Sequence, residues 1–559
     1  MDKTCSACRQ NFVVTDDDLA FYEKVSPVFN GKKELIPPPT LCPDCRTRRR
    51  LAHSNESKLY HRKCDLTGRQ IISVHSPDKP FTVYEQKEWW GDKWDAKTYA
   101  QGLNLDEPFF PQFKRLADKV PVMSLVVDGN ENADYANQTG WSKDCYLCFC
   151  VEYSEDCYYC HDTYHSKNAI DCYFGYGIER CYECIGCKTC MALFFSQNCI
   201  GCSDSWYLYD CQQCDKCFGC VGLRHKRHHW FNKDVSPEEF EKRLAAFRAL
   251  DASVRPVALA SFGQLLLKHP RRSFEGVQTE NSAGNYLLNC RNAQDCFDST
   301  DLHDCKYCTN VRNAKDCHDI NRWGNPSELV YECMAVGERF SRSAFCGMSW
   351  NGDSDLYYCT YCMGSRDCFG CSGLRNARHC ILNKQYTEEE YNTLVPKLIA
   401  KMRETGEWGE FYPATDSPFA YNETVAQEYY PLSKEEALRQ GHAWHEEADA
   451  QSTYLGPAVI LPEHIRDVSD EIIQKILLCE VTGKPYKIIP QELAFYRAAD
   501  LPLPRRCPDQ RHLDRMVLRN PRHLWDRTCA HCSKAIKTTY APERPEIVWC
   551  EECYLSSIY

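Results

Sequence analysis

The chain has 559 residues, and this length predicts two to four domains rather than a single core. Its 67 basic and 78 acidic residues give a formal net charge of −11, which excludes the overall basic surface of a protein that coats nucleic acid. The 39 cysteines are the unusual feature. The sequence starts without a signal segment and has no run of about 18 apolar residues, so we expect a cytoplasmic protein without a membrane span. In a reducing compartment, clustered cysteines bind metal more often than they form disulfides.

Residues 1–120, the N-terminal module, contain two Cys-x-x-Cys pairs, Cys5/Cys8 and Cys42/Cys45. Two such pairs supply four soft thiolate ligands at tetrahedral geometry, which suits Zn²⁺. A closed set of four protein ligands leaves no open position for a substrate. The pattern therefore predicts a structural zinc rather than a catalytic one.

The residues around these pairs resemble the bacterial "probable zinc-ribbon" family. The matching residues are Cys5-x-x-Cys8, Phe12, Thr15, Phe21-Tyr22 and Cys42-Pro43-Asp44-Cys45-Arg46. The resemblance covers about 45 residues, and it implies one zinc on the four cysteines and no reaction. The layout of the whole chain is also similar to cysteine-rich hypothetical proteins of uncultivated, small-genome bacteria, a similarity that implies metal binding and no activity.

A basic stretch begins at the last of these cysteines. Its arginines are Arg46, Arg48, Arg49 and Arg50. Zinc ribbons with an adjoining basic helix commonly contact phosphates, so these arginines are candidate contacts to RNA or DNA. The alternative is that they pair with the protein's own acids, and the acidic total charge favours this alternative.

Residues 121–250, which we term block 1, place their cysteines in a 12-residue repeat built from steps of three. From Cys145 to Cys220, every cysteine except Cys150 lies a multiple of three residues from Cys145, and the pattern slips by half a repeat near Ser196. Units this short predict β-coils stacked into a solenoid. Because side chains alternate along a straight strand, two inward cysteines three residues apart need a bend between them.

Residues 251–408, block 2, repeat this pattern at an offset of 151. Asp295-Cys296 matches Asp144-Cys145, but the register lapses opposite Cys172–Cys202. Each block ends in a predicted helix with an N-terminal capping box, at Ser236 and at Thr387. We expect these helices to cover the open edge of each stack.

Three interpretations compete for the cysteines of the solenoid. They could be small buried hydrophobic residues, or zinc ligands on adjacent coils, or ligands of iron–sulfur clusters. Ferredoxin-type runs have three residues before the last cysteine and then proline, whereas these runs have two and no proline, so iron–sulfur clusters are the least favoured. The candidate ligands are Cys145, Cys148, Cys157, Cys160, Cys181, Cys184, Cys187, Cys190, Cys211, Cys214, Cys217 and Cys220.

Residues 409–470 contain no cysteine and carry several glutamates with scattered prolines, which indicates a linker or wrapping arm. Residues 471–559, the C-terminal module, repeat the N-terminal module at an offset of 474 and then of 465. The pairs Cys529/Cys532 and Cys550/Cys553 predict a second structural zinc.

The alignment of the two modules indicates an ancestral module with two sets of four cysteines. Each module keeps a different one of these sets complete. The positions that match the first zinc site read Cys479, Thr482, Cys507 and Gln510 in the C-terminal module. The positions that match the second zinc site read Cys64, Thr67, Glu85 and Glu88 in the N-terminal module. We expect both of these incomplete sets to be free of metal.

The sequence thus predicts a multidomain, mainly β protein in which two zinc-ribbon modules flank a duplicated β-solenoid with capping helices. It has no nucleotide loop, nucleophile elbow or HExxH motif, so we expect no enzyme. The predicted function is a structural and interaction protein with at least two Zn²⁺, whose modules engage RNA, DNA or a protein complex. The alternatives are a zinc store or sensor on the solenoid thiols and an iron–sulfur redox protein.

Overall fold

The computed structural model describes residues 1–249, 254–322, 325–349, 352–446, 456 and 459–558. The fold is mainly β, with a solenoid of about 20 turns in the middle and a cysteine cluster near each terminus, as the sequence predicts. Within these ranges, no helix has both the length and the apolar character needed to cross a membrane.

The modules and the arm consist of short elements. Their strands are Asp2–Thr4, Asn11–Val13, Val28–Phe29, Lys32–Lys33, Tyr60–Lys63, Gln70–Ser73, Val83–Tyr84, Leu477–Leu478, Pro485–Tyr486, Trp525–Thr528, Ala535–Thr538 and Val548–Trp549. Their helices are Asp16–Val25, Pro43–Leu51, Gln86–Trp90, Phe109–Ala117, Val425–Tyr429, Lys434–Arg439, Pro490–Ala498, Pro508–Val517 and Glu551–Ile558.

The blocks consist mostly of parallel strands. Those of block 1 are Val122–Met123, Val127–Asp128, Ala136–Asn137, Thr139–Gly140, Cys148–Phe149, His161–Tyr164, Tyr173–Tyr176, Met191–Phe194, Ser203–Trp206, Asp215–Phe218, Arg227–Trp230 and Lys233–Asp234. Those of block 2 are Arg271–Arg272, Gly276–Val277, Ala283–Leu288, Gln294–His303, Arg312–His318, Asn325–Tyr331, Met334–Val336, Glu338–Ala344, Gly347–Ser349, Ser354–Tyr357, Arg366–Phe369, Arg378–Ile381 and Lys384–Gln385. The helices are Pro237–Arg248, Val254–Lys268 and Glu388–Thr405.

Each turn of block 1 has 12 residues, and successive turns pair in parallel. His161 lies beside Tyr173, for example. The predicted bend between inward cysteines is confirmed, because the residue before each one has a left-handed backbone: φ is +52° at Asp144 and +49° at Leu147, before Cys145 and Cys148. The bend recurs at every third residue, so each turn has four short sides.

The left-handed positions explain the repeated residue types of the block. Glycine adopts this conformation without a steric penalty, and Asn and Asp adopt it more readily than other residues. Asp156, Asp171 and Asn198 each occupy such a position directly before an inward side chain, as do Gly186 and Gly201. The Asp-Cys and Gly-Cys dipeptides of the sequence are thus the corners of the coil.

The half-repeat slip near Ser196 does not interrupt the stack. Backbone pairing keeps its 12-residue offset through this region, as between Tyr182 and Phe194 and between Lys188 and Ile200. Instead, the four-residue strands move from one side of the coil to another between Tyr173–Tyr176 and Met191–Phe194. The half-repeat slip in the sequence therefore marks the point at which the longer strands move to a different side of the coil.

Block 2 departs from the predicted 12-residue period in its middle. Its pairing offset is 13 residues from Ala314 to Ser327, from Ser327 to Phe340 and from Ser341 to Ser354. The extra residue in each turn explains why the cysteine register lapses there: Cys333, Cys346 and Cys359 follow one another at intervals of 13.

The helix at the end of block 1 exists as predicted. Helix Pro237–Arg248 lies along the side of the coil, where the ring of Phe247 is 4.8 Å from that of Phe218. The open edge is closed by strand Lys233–Asp234, which turns back and pairs antiparallel with the last coil strand. The helix also reaches the end of the stack, where the ring of Phe240 is 6.0 Å from that of Trp230 in the last coil strand.

The end of block 2 has the same construction. Helix Glu388–Thr405 begins with the predicted capping box between Thr387 and Glu390. Strand Lys384–Gln385 again pairs antiparallel with the last coil strand, Arg378–Ile381. In each block, a two-residue strand that turns back therefore protects the last edge of the sheet.

The two blocks lie side by side and run in opposite directions. Three contacts between them show this, because residues further along block 1 contact residues earlier in block 2. These contacts are Asp162 with Arg322, Tyr164 with Arg312, and Asn198 with Tyr286. This arrangement leaves a cavity between the blocks, which is described below.

The described part of the arm wraps the first module. Val425 and Ala426 pack on Leu51 and Ala52, at the end of helix Pro43–Leu51. The N–H of Val425 donates to the carbonyl of Ser54 at 2.9 Å. Residues 447–455, within the predicted arm, lie outside the described residues.

Candidate metal centres

Two separate loops form the first predicted zinc site. Cys5 and Cys8 follow the first strand, and Cys42 and Cys45 lie at the start of helix Pro43–Leu51. The four Sγ atoms all lie within 4.8 Å of one another. Three of the cysteines are buried, and only Cys8 is exposed.

The local backbone favours the thiolate form in this site. The N–H of Cys42 donates to the sulfur of Cys5 at 3.3 Å. Cys42 is also the N-cap of its helix, where the positive end of the helix dipole stabilises an anion. A hydrogen bond from the Cys45 thiol, together with backbone donors, lowers the pKa of Cys42 to about 5.

The second predicted site, near the C-terminus, is built in the same way. The sulfurs of Cys529, Cys532, Cys550 and Cys553 also lie within 4.8 Å of one another. The N–H of Cys550 donates to the sulfur of Cys529 at 3.2 Å, directly before helix Glu551–Ile558. Burial opposes ionisation, but this donor and neighbouring N–H groups lower the pKa of Cys529 to about 6.

The spacing of the sulfurs fits a tetrahedral metal ion. Zn–S bonds of about 2.3 Å place the sulfurs of a tetrahedral site about 3.8 Å apart. The sulfurs of Cys8 and Cys42 are 3.7 Å apart, as are those of Cys532 and Cys550. A disulfide would need about 2.05 Å, and the cysteines are free thiols. Both sets can therefore bind a metal ion such as zinc.

The two incomplete sets do not gather a comparable group of ligands in the described part of the chain. The hydroxyl of Thr482 lies 3.8 Å from the sulfur of Cys507, where a complete site has a second thiolate. Glu88 instead pairs with Arg69 and Lys93, at 2.9 and 2.8 Å. In this structure Glu88 is thus engaged in ion pairs.

The cysteines of the solenoid line the interior of the coils. The thiol of Cys184 donates to the carbonyls of Tyr182 and Leu193, at 3.5 and 3.2 Å, and the same pattern recurs along both blocks. Burial raises the pKa of Cys184 well above its ordinary value. The burial and the hydrogen bonds to backbone carbonyls are those of buried thiols.

The solenoid candidates do not gather as metal ligands. Among the described residues, the two terminal sets are the groups of three or more ligands found within 4.8 Å. The candidates that lie outside any such group are Cys145, Cys148, Cys157, Cys160, Cys181, Cys184, Cys187, Cys190, Cys211, Cys214, Cys217 and Cys220. The geometry thus supports the buried-thiol interpretation of these positions.

The arginines beside the first predicted zinc site point mostly into the protein. Arg46 and Arg50, one helical turn apart, both contact the carboxylate of Asp319 in block 2, at 3.0 and 2.9 Å. All three side chains are at most 1% exposed. Burial opposes ionisation of Asp319, but the two guanidinium groups keep its pKa below the ordinary value.

The predicted contact with nucleic acid does not agree with these positions. Arg49 pairs with Glu332 and Glu410, each at 2.7 Å, so it too is taken up by internal acids. Arg46 and Arg50 are buried and do not reach an external phosphate in this fold. Only Arg48, which is half-buried, keeps part of its surface available. The alternative interpretation, pairing with the protein's own acids, describes the other three.

The C-terminal module has an equivalent contact that the sequence did not reveal. Arg511 and Arg515, on helix Pro508–Val517, both contact Asp171 of block 1, each at 3.0 Å. They lie 465 residues after Arg46 and Arg50, at matching positions of the two modules. We term helices Pro43–Leu51 and Pro508–Val517 the clamp helices.

Comparisons with known proteins supply no family for this chain. A scan against protein-family models and a search of curated proteins found no match. One structural match is a protein from Desulfovibrio desulfuricans G20 that is provisionally named an acetyltransferase. It is 9% identical, and the match covers 41% of this chain and 66% of that one at a TM-score of 0.11. A similarity of this size carries no argument about fold or function.

Proposed function

We propose that this chain is a zinc-binding structural and interaction protein, in which two zinc ribbons lock a pair of solenoid blocks into one rigid unit. The observation that carries the proposal is the position of Cys45. This predicted ligand lies on the same helix as Arg46 and Arg50, which hold Asp319 of block 2. Zinc that fixes the start of this helix therefore also positions the ion pairs.

The second zinc site supports a different contact with block 2. Strand Val548–Trp549, directly before Cys550, pairs in parallel with Arg271–Arg272 at the start of that block. Tyr554, on the helix that follows, contacts the carboxylate of Asp210 in block 1. This site thus adjoins both blocks, and zinc there would stabilise each contact.

The proposed partner of the locked unit is a protein complex. The candidate phosphate contacts Arg46, Arg49 and Arg50 are taken up by internal carboxylates, and nucleic-acid binding depends on free cations. A zinc store on the solenoid has less support, since the described solenoid thiols do not form sets of ligands. Zinc remains the favoured metal because both sets are all-thiolate and their sulfur spacing fits tetrahedral coordination.

Elemental analysis of the purified chain tests this proposal. We expect two zinc ions per chain, one of them lost in Cys45→Ser and the other in Cys553→Ser. Hydrogen exchange should then become faster in the clamp helix Pro43–Leu51 in the first variant, and around Arg271–Arg272 in the second.

A matched control is Cys479→Ser, which changes a buried cysteine of an incomplete set and should retain both zinc ions. Loss of zinc without faster exchange at these contacts would contradict the locking role. Many labile zinc ions per chain would favour the storage function, and a brown protein with visible absorbance would favour iron–sulfur clusters.

A further inference from the structure

A cavity of about 520 Å³ lies between the two blocks. Cavities of this volume accommodate small ligands. Much of one wall is a single column of block 1, one residue from each successive turn: Asp128, Gly140, Glu152, Tyr164, Tyr176 and Lys188. Thr300 and Arg312 of block 2 line the opposite side. Rim residues such as Trp141 and Tyr176 are about half exposed, so the cavity is open to solvent.

Several charges of the lining are already neutralised. Asp162 pairs with Arg322 at 2.8 Å, and Asp298 pairs with Arg522 at 2.8 Å. At the mouth, Asp301 accepts a hydrogen bond from Asn289 and is exposed. These groups are therefore committed to the protein or to solvent.

The remaining charges give the wall two different ends. The acids lie toward one end of the column: Asp128 is its last residue, and Glu152, two turns inward, forms a long ion pair with Arg312 at 3.9 Å. Lys188 lies at the other end, half-buried, and has no ion-pair partner among the described residues. Three turns separate Glu152 from Lys188, which is roughly 14 Å at the spacing of neighbouring strands.

The middle of the wall is aromatic, and one hydrogen-bond donor group of block 2 lies against it. The guanidinium of Arg312 lies 3.5 Å above the centre of the Tyr164 ring, which holds it flat. Its N–H groups are planar donors suited to carbonyl and carboxylate oxygens. Tyr176, one turn further along, adds an apolar surface next to Lys188.

We propose that this cavity binds a short linear peptide of about four residues with free termini. Four extended residues span roughly 14 Å, which matches the separation of Glu152 and Lys188. The peptide's ammonium group pairs with Glu152, and its carboxylate pairs with Lys188. Arg312 donates to a backbone carbonyl between them. A ligand with a single charge would pair with only one end of the cavity.

Calorimetric titration with tetraalanine tests the proposal, with Trp90 and Trp141 in the lining as fluorescence reporters. We expect one site per chain. Amidation of the C-terminus should weaken binding by at least tenfold, and N-acetylation should weaken it similarly. Dialanine is too short to span both ends and should bind much more weakly.

Two variants assign the ends of the peptide. In Lys188→Met, tetraalanine should bind as weakly as its amide does to the natural protein, and amidation should have no further effect. In Glu152→Gln, the same should hold for N-acetylation. The controls Lys226→Met and Glu179→Gln change exposed residues of block 1 outside the cavity and should keep the natural affinity.

Unchanged zinc content and melting temperature establish that each variant is folded. Absence of binding at about 1 mM tetraalanine would overturn the proposal, since such a ligand would have no useful affinity. An amidation effect that persists in Lys188→Met would also overturn it, because the carboxylate would then bind elsewhere.

Discussion

Arg515 contacts Asp171 across 344 residues of sequence, with Nη1 and Oδ1 3.0 Å apart. Arg50 makes the matching contact with Asp319 at 2.9 Å. The module that precedes block 1 therefore holds block 2, and the module that follows block 2 holds block 1. This crossed arrangement ties both ends of the chain to the solenoid.

We expect Asp319→Asn to lower the free energy of unfolding by about 3–5 kcal/mol. The change removes the carboxylate that two buried guanidinium groups share, and Arg50 keeps only the more distant Glu332, at 3.6 Å. Loss of a buried partner costs far more than loss of an exposed pair. Denaturant unfolding monitored by fluorescence measures the effect. Asp171→Asn should have a smaller effect, because Arg511 and Arg515 keep Glu492 and Glu183 at 3.5 and 3.3 Å.

The control for these variants is Glu155→Gln, whose partner Lys167 lies 2.9 Å away with both side chains nearly half exposed. Exposed pairs contribute at most about 1 kcal/mol, so this variant should unfold almost as the natural protein does. Equal losses in the buried and exposed variants would show that the clamps do not stabilise the fold.

The corners of the coil give a second prediction. Thr189 is exposed and β-branched, yet its φ is +49°, a conformation that costs an L-residue roughly 1–2 kcal/mol. Thr189→Asn should raise the free energy of unfolding by about 0.5–1 kcal/mol, because Asn tolerates the left-handed region better.

The corresponding control is Lys226→Asn, an exposed site of the same block that is not among the left-handed residues. Thermal and denaturant unfolding of the two variants should differ in sign or size. A gain at both positions would point to a general effect of Asn rather than relief of backbone strain.

Local features of the chain were readable from sequence. The candidate ligands of each metal site come as pairs three residues apart, so Cys5 and Cys8 are brought together by the backbone between them. The inward phase of the solenoid was also readable, because every third residue from Cys145 is buried by the same bend. The sequence analysis predicted a bend but not its conformation, a residue with left-handed backbone before each inward side chain. The Asp-Cys and Gly-Cys dipeptides indicate that conformation.

Long-range features were not readable. Nothing near Asp171 indicates that Arg515 will contact it, since the pairing depends on how the whole solenoid places the module. For the same reason a basic run of sequence suggested a nucleic-acid surface although Arg46 and Arg50 are buried. The 13-residue turns were hidden because Cys333, Cys346 and Cys359 are too few to define a new period by themselves.

Acid sensitivity should depend on His75. This side chain is 1% exposed and lies between the rings of Phe81 and Phe419, and burial lowers its pKa to about 3. In the unfolded chain the pKa is about 6.5, so below that pH the unfolded state binds a proton that the folded state does not. The free energy of unfolding is therefore not lowered by this group above pH 6.5, and it declines as the pH falls from 6.5 toward 3.

We therefore expect His75→Phe to be close to the natural protein at pH 7 and more stable than it by about 2 kcal/mol at pH 5, since each pH unit corresponds to about 1.4 kcal/mol. Denaturant unfolding at both pH values, with zinc content checked at each, measures the difference. His225→Phe, at an exposed corner of the coil, should show no such dependence on pH. An equal gain for His75→Phe at both pH values would mean that better packing, rather than loss of a titrating group, accounts for the stability.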